Sequence, residues 1–526
     1  MGYYLSRLML VDSRKLPDGA RVDTDLCIIG AGAAGIAIAR EWAGSGHSVV
    51  LLESGGFEPD AAVQELTRGE ATGNVLANPE TYLSRSRLRY FGGSTNHWGG
   101  ACRPLDVLDF ETRPWVADSG WPFERSALDP YYERAQKVVE IAPFDYDIEV
   151  SHPRGRAPLW NESNAPEFEI PGQIGTMVIH FSPPTRFGRR YRSAIVDAKN
   201  VSLHLHANAV ALETDADGAR LESVRVARLG GSTYRVWPRA TVLATGGIEN
   251  PRLLLASNQK QSAGLGNDHD QVGRYFMDHL AIRGGHALFT SPYASMALYR
   301  PGHDALHRAR SVGLLTIDER TQREQKLLGF SARLRRVKWA DLDTAQRALV
   351  RSVLCADRLD AKSPPRPEDA DSQAFVARLE VVAESSPRAD SRVTLSERRD
   401  RLGLPLARVD WRVNPGDYWS MLRSLQLMAR ELGSRSRGRV QPTIDIAQDR
   451  LDPMTGGWSH HMGTTRMHAD AKQGVVDANC RVHSVSNLFI AGSSVFPTGG
   501  SEGTTTLTLL ALALRLSDLL KRELNT

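Results

Sequence analysis

Three groups of residues in this chain are spaced for chemistry. The first is a glycine triad, Gly30-x-Gly32-x-x-Gly35, followed by an acid, Glu53. Glycines at this spacing allow a tight turn, a close backbone approach to a pyrophosphate and a helix seated directly on a strand. The helix start, at Ala33 and Ala34, offers open N–H groups and partial positive charge to phosphates, and Glu53 is placed to accept from ribose hydroxyls. The second group is three more glycine-rich segments: FGGSTNHWGG at 91–100, LATGGIENPRLLLAS at 243–257 and NLFIAGSSVFPTGG at 487–500. A cofactor touched at the start, middle and end of a chain is long and enclosed. That suits a permanently held flavin better than a nicotinamide that leaves at every turnover. The third is the adjacent pair His460-His461, a residue type that can take up or release a proton near neutral pH.

The elements that must hold these residues follow from apolar periodicity. DLCIIG at 25–30 reads as a buried strand, AGAAGIAIAREWAGSG at 31–46 as a turn and amphipathic helix, and HSVVLLE at 47–53 as a second strand. Residues 60–200 are rich in loops. Alternation returns over 201–229, with a DADG turn at 215–218, and ATVLATGG at 240–247 is a buried strand leading into a helix at 248–257. The segments 344–359 and 416–434 carry helical spacing, 363–372 reads as a loop, and FVARLEVVAESS at 375–386 alternates like a strand. NLFIAG at 487–492 is another buried strand before a last helix. The expected fold is therefore mixed α/β and α+β. A discontinuous Rossmann-like FAD-binding domain takes 1–104, 196–284 and 455–526. An inserted substrate domain, a β-sheet flanked by helices, takes 105–195 and 285–454 with the connecting loops.

Composition narrows the function further. The chain has 526 residues, too many for one core, and 65 Lys and Arg against 61 Asp and Glu, a balance without the basic stripe of a nucleic-acid binder. Cys27, Cys102, Cys355 and Cys480 form no CxxC pair, which argues against a zinc site and a disulfide framework and suits a reducing compartment. No metal is expected. The N-terminal residues lack the unbroken apolar run of a secretory signal, although MGxxxS matches the loose myristoylation pattern, and the longest apolar runs are too short to span a bilayer. A cytoplasmic setting without membrane attachment is the expectation.

Taken together, the motifs resemble the glucose–methanol–choline (GMC) oxidoreductase family over nearly the whole chain, with the middle least distinctive. The matching stretches are the glycine triad with Glu53, GGSTNHWGG at 92–100, GRYFMDH at 273–279, HHMGTTRM at 460–467 and the NLFIAGSSVFPT segment. Within the family the closest likeness is to the sugar- and polyol-oxidising branch that includes pyranose oxidase. The resemblance implies FAD, held by Gly30, Gly32, Ala33, Ala34, Gly35, Glu53, Gly93, Asn96, His97, Gly99, Gly100, Val210, Ala244, Gly246, Gly492, Ser493 and Thr505. Non-covalent binding is expected, although Thr95-Asn96-His97-Trp98 sets His97 where that branch carries a flavin-linked histidine.

The family's base is the first histidine of H-x-[M/L]-G, here His460, with His461 able to stand in if the register differs. The family usually places Asn or His just before the last helix. Matching Thr506, Leu507 and Thr508 to the family's T-L-T puts Thr504 at that position, after a GGSEG loop one residue longer than usual. Thr504 can donate or accept but reaches less far than asparagine, Glu502 can supply a carboxylate instead, and these threonines also suit a helix N-cap. The implied activity is oxidation of a CH–OH group of a sugar, glycoside, cyclitol or related polyol. Oxygen or another redox carrier would accept the electrons, and a homo-oligomer is compatible with the sequence. The competing readings are a flavin-binding scaffold without turnover and a nicotinamide-linked dehydrogenase.

Overall fold

The computed structural model describes residues 9–73, 79–146, 173–289, 299–304, 309–348, 374–434, 438–442 and 456–525. Among them two large sheets divide the work. The first has eight strands and a parallel centre. Val49–Leu52 and Ala20–Ile29 lie side by side, joined through the helix Ala33–Trp42, and Thr233–Leu243 runs parallel to Ala20–Ile29 on its other side. The far edge of Thr233–Leu243 is shared: its start pairs antiparallel with Leu221–Ala227 and its end pairs parallel with Leu488–Ile490. Leu243 is thus in register with both Ile29 and Ile490. Three strands far apart in the chain finish level with one another, and each is followed by a glycine turn.

These strands are nearly all apolar because both faces are covered. Leu26, Ile28, Leu51, Val242 and Ile490 are fully buried, and the final helix Thr504–Asn525 packs against Ala33–Trp42. Ala37 and Ala39 are buried in the latter helix, and small residues let it sit close to the sheet. Cys27, Cys102 and Cys480 are free and buried. Cys355, the MGxxxS motif, the 363–372 loop and the end of the expected 344–359 helix lie outside the described residues.

The second sheet has nine antiparallel strands. Its centre is Leu280–Phe289, Phe375–Ala383, Phe330–Arg336, Ala309–Ile317 and Ile174–Phe181 in spatial order. The helix Pro415–Ser434 lays Met421, Leu425 and Met428 in one core with Ile282, Leu379 and Val381. The expected boundary at 284/285 falls inside the strand Leu280–Phe289, which belongs wholly to this sheet. The glycine pair there makes a bulge, not a break. Gly285 has φ +127°, and a Cβ on it would lie 2.1 Å from the Gln441 carbonyl oxygen of the neighbouring strand Gly438–Pro442. Ala101–Cys102 and Gly456–Gly457 also pair into this sheet, so the chain passes between the two layers several times. A third, small sheet joins Arg392–Arg399, Pro405–Trp411 and Gly69–Gly73. No described helix is long and apolar enough to cross a membrane.

The closest backbone approach in the first sheet is at Gly35. A methyl there would lie 1.9 Å from the Gly30 carbonyl oxygen. Gly35→Val should therefore lower stability by about 1–3 kcal/mol through overpacking, measured by urea unfolding. Unchanged stability would contradict this helix–strand contact.

Candidate active site

A cavity of about 600 Å³ opens at the level ends of the three strands. That is the crevice at the carboxyl ends of strands where open α/β sheets bind ligands. Gly32, Gly246 and Gly492 line it, and a Cβ added at any of them would meet nothing within 4 Å, so each side chain would project into open space. Gly30, with φ +102°, has no such room, since its Cβ would come 2.7 Å from the Ala244 carbonyl oxygen. Helix Ala33–Trp42 starts without a side-chain cap, which leaves its first N–H groups open to an anion. Glu53 is buried at the cavity wall. Its two carboxylate oxygens accept from the N–H of Ala31 (3.0 Å) and Gly55 (2.9 Å), which orients it, while burial pushes its pKa up. This long cradle of backbone, with an acid at one end and a helix N-terminus along it, fits a dinucleotide.

Most residues singled out in the sequence meet on this wall. Gly30, Gly32, Ala33, Ala34 and Glu53 lie along one stretch, with Gly93, His97, Gly99 and Gly100 on the loop opposite. Ala244, Gly246, Gly492, Ser493 and Thr505 complete it, and His460, His461 and Glu502 line the same space. Four residues do not line it. Gly35 is packed against Gly30, and Val210 follows Asn208 and Ala209, which do face the cavity. Asn96 turns its amide back to the Phe91 carbonyl (3.0 Å) and so holds its loop in place. Thr504 is buried, and its hydroxyl is directed to the carbonyls of Gly499 (2.8 Å) and Ser501 (2.9 Å). Its one proton is used inside the helix start. Arg186 braces the His97 loop by donating to the carbonyls of Thr95 and Trp98.

The two adjacent histidines differ sharply. The His461 ring is caged by Tyr82 and Phe276 at 5.5 and 5.8 Å between centroids, and its Nε2 is sealed from solvent without a partner. Burial, with Arg87 nearby, pushes its pKa down to about 3. His460 Nδ1 lies 2.8 Å from Nδ1 of His279, whose Nε2 lies 3.2 Å from the Gly499 carbonyl oxygen. A carbonyl can only accept, so His279 carries its proton on Nε2. Burial lowers the pKa of His279 and keeps it neutral, which makes its Nδ1 an acceptor. His460 must then donate from Nδ1, and its Nε2 is left as an unprotonated lone pair. That nitrogen has no hydrogen-bond partner among the described residues and is not among the sealed polar atoms. Burial, together with His279 and His461, holds the His460 pKa well below the usual value.

A carboxylate fixes the backbone beneath this pair. Asp278 is fully buried and accepts from Tyr82 Oη (2.9 Å) and from the N–H of His279 (2.8 Å), Trp458 (3.1 Å), Ser459 (2.9 Å) and His460 (2.9 Å). A Cβ on Gly457 would lie 2.0 Å from its Oδ2, so only glycine lets the loop wrap so tightly. Burial outweighs these donors and pushes the Asp278 pKa up to about 6. Asp278 and His279 received no role from the sequence. Their one signal was adjacency inside GRYFMDH at 273–279, and their partners are nearly two hundred residues away (|i−j| of 181 and 182). Glu502, also buried, is ion-paired with Arg333, a third residue that sequence reading missed.

Comparisons with known proteins agree with this geometry. Residues 387–513 match a family model described as GMC oxidoreductase. The chain is 25% identical to the fructose dehydrogenase large subunit of Gluconobacter japonicus, over 96% of this chain and 98% of that protein. It is also 25% identical to 6'''-hydroxyparomomycin C oxidase of Streptomyces lividus, over 94% of this chain and 90% of that one. A solved structure of Aspergillus oryzae formate oxidase, a variant made to study FAD modification, shares the fold with a TM-score of 0.55 at 17% identity, covering 97% of this chain and 99% of that one. A family match over residues 387–513, relatives aligned over nearly the whole chain and a cavity shaped for a dinucleotide together make this chain similar to oxidoreductases of the GMC type.

Proposed function

We propose that this enzyme oxidises a CH–OH group of a sugar, glycoside, cyclitol or related polyol, with His460 as the base. The observation that carries the reading is the hydrogen-bond chain from Gly499 through His279 to His460, because it leaves one unprotonated imidazole nitrogen on a ring lining the cavity. The substrate class is supported by two full-length relatives named for fructose and for an aminoglycoside, in keeping with the sugar- and polyol-oxidising branch.

His460 Nε2 accepts the hydroxyl proton as the carbinol carbon becomes a carbonyl. FAD held along the cradle of Gly30, Gly32, Glu53, Gly246 and Gly492 would supply the acceptor for the accompanying hydride, with oxygen or another redox carrier as the final electron acceptor. The imidazolium formed keeps its Nδ1–H bond to His279, whose lone pair faces the new charge, so the ring gains a proton without turning. Asp278 keeps the loop under His460 fixed through the step by accepting from its backbone N–H. His97 is exposed on the cavity wall, a position compatible with either mode of flavin attachment.

Two outcomes test this reading. His460→Ala should slow substrate-driven bleaching of the bound flavin by at least about a hundredfold while leaving flavin content intact. His279→Leu should slow it too, and His279→Asn, which keeps an acceptor and a donor, should recover part of the loss. Rapid anaerobic bleaching by His460→Ala would move the base elsewhere. The second test is pH. The neutral ring is the active form, so a lowered pKa moves the acid limb of kcat/KM down. Activity should stay level above about pH 6.5 and fall only below the ordinary histidine range. A limb centred above that value, followed by initial rates against pH, would contradict the buried, uncharged pair.

A further inference from the structure

The loop that carries Glu502 is tied to the same carbonyl as the histidine chain. Gly499 oxygen accepts from His279 Nε2 and also from Thr504 Oγ1, so the turn 499–504 is clipped shut with Glu502 on its cavity side. Glu502 is 2% exposed and lines the cavity. Its Oε1 is bound by Arg333, which also lies over the Phe181 ring, 5.4 Å from its centroid, and does not itself line the cavity. Glu502 Oε2 accepts no hydrogen bond from any described residue. A buried carboxylate held by one oxygen, with the other unused on a cavity wall, is a binding group waiting for a donor.

We propose that Glu502 is a substrate-binding residue whose Oε2 accepts a hydrogen bond from a hydroxyl next to the carbon being oxidised, with Arg333 as the positioning residue that holds it. This inference rests on the proposed alcohol oxidation and names the chemistry that its substrate must present: a neighbouring hydroxyl, as in a sugar ring or cyclitol. The charge balance favours a neutral donor over an ammonium. Arg333 offsets Glu502, and the adjoining strands add Arg335 and Arg378 against the single acid Glu380, so the subsite has no spare negative charge. Trp458 supplies the complementary apolar surface. It is 42% exposed, lines the same cavity and has its ring centroid 6.4 Å from that of His460, suited to the C–H face of a saturated ring. Thr504, in the position where relatives carry a polar partner, cannot fill that role while its proton serves Gly499 and Ser501.

The test is anaerobic reduction of the flavin in the holoenzyme by three matched donors: cyclohexanol, trans-1,2-cyclohexanediol and trans-2-aminocyclohexanol. The wild-type enzyme should favour the diol over cyclohexanol by about tenfold to a hundredfold in kcat/KM, the effect of one hydrogen bond to a charged acceptor. In Glu502→Leu that ratio should fall to within about twofold of one, with the loss mostly in KM. Glu502→Gln, which keeps an acceptor of the same size, should retain part of the preference, and Arg333→Met should erode it through KM at unchanged flavin content. A wild-type preference for the amino alcohol, or an unchanged diol preference in Glu502→Leu, would overturn the role of Glu502 alone. No bleaching of the wild-type flavin by these or any polyol would overturn the alcohol oxidation itself.

Discussion

A carbonyl oxygen has no proton to give, and at Gly499 that elementary fact sets the protonation of two histidines. The chain Gly499–His279–His460 has one consistent arrangement of protons when both rings are neutral, and burial keeps them neutral. The result is an imidazole whose outer nitrogen is free and whose inner nitrogen is tethered. In the proposed role of base, such a nitrogen would need no rearrangement before taking a proton, which is how preorganisation lowers a barrier. The same carbonyl also accepts from Thr504, so the loop bearing Glu502 and the loop bearing His460 share one anchor.

The fold exists to bring that anchor and a dinucleotide cradle together. The parallel centre of the first sheet aligns Ile29, Leu243 and Ile490 from the beginning, middle and end of the chain. Each strand then turns at a glycine where a side chain would intrude on a ligand. Leu280–Phe289, in the second sheet, follows directly after Asp278 and His279, so the antiparallel layer fixes the relay from the other side. The cavity therefore lies at the junction of the layers, and both have to be folded for the site to be complete.

How much of this was legible in the sequence depended on the range of the interaction. The strand–turn–helix–strand unit at 20–53 was plain because its signals lie within a few dozen residues and each has a local physical cause: apolar runs, a glycine turn and an acid after the second strand. His460 was legible through its likeness to the family's H-x-[M/L]-G pattern, which set it ahead of His461, and the cage of Tyr82 and Phe276 around His461 supplies a physical reason that no local pattern announces. The expected boundary at 284/285 falls between Gly284 and Gly285. In the structure they form a bulge in a continuous strand, demanded by the close approach of Gln441. Thr504 was read both as an N-cap and as a partner for substrate, and only the position of two carbonyls separates the uses. Asp278 and Arg333 stayed invisible because their partners are 169 or more residues away. A buried acid or arginine in a strand has no signature until its counterpart is brought to it.

The proton arrangement at the center of the site can be observed directly. In holoenzyme labelled with ¹⁵N-histidine, with His460 and His279 assigned by single substitution, imidazole nitrogen shifts report which ring nitrogen bears hydrogen. The expected spectrum at neutral pH has His460 protonated on Nδ1 and bare on Nε2, and His279 the reverse. A protonated Nε2 on His460, or a His279 ring carrying both protons, would contradict the chain from Gly499 and with it the proposed role of His460 as base.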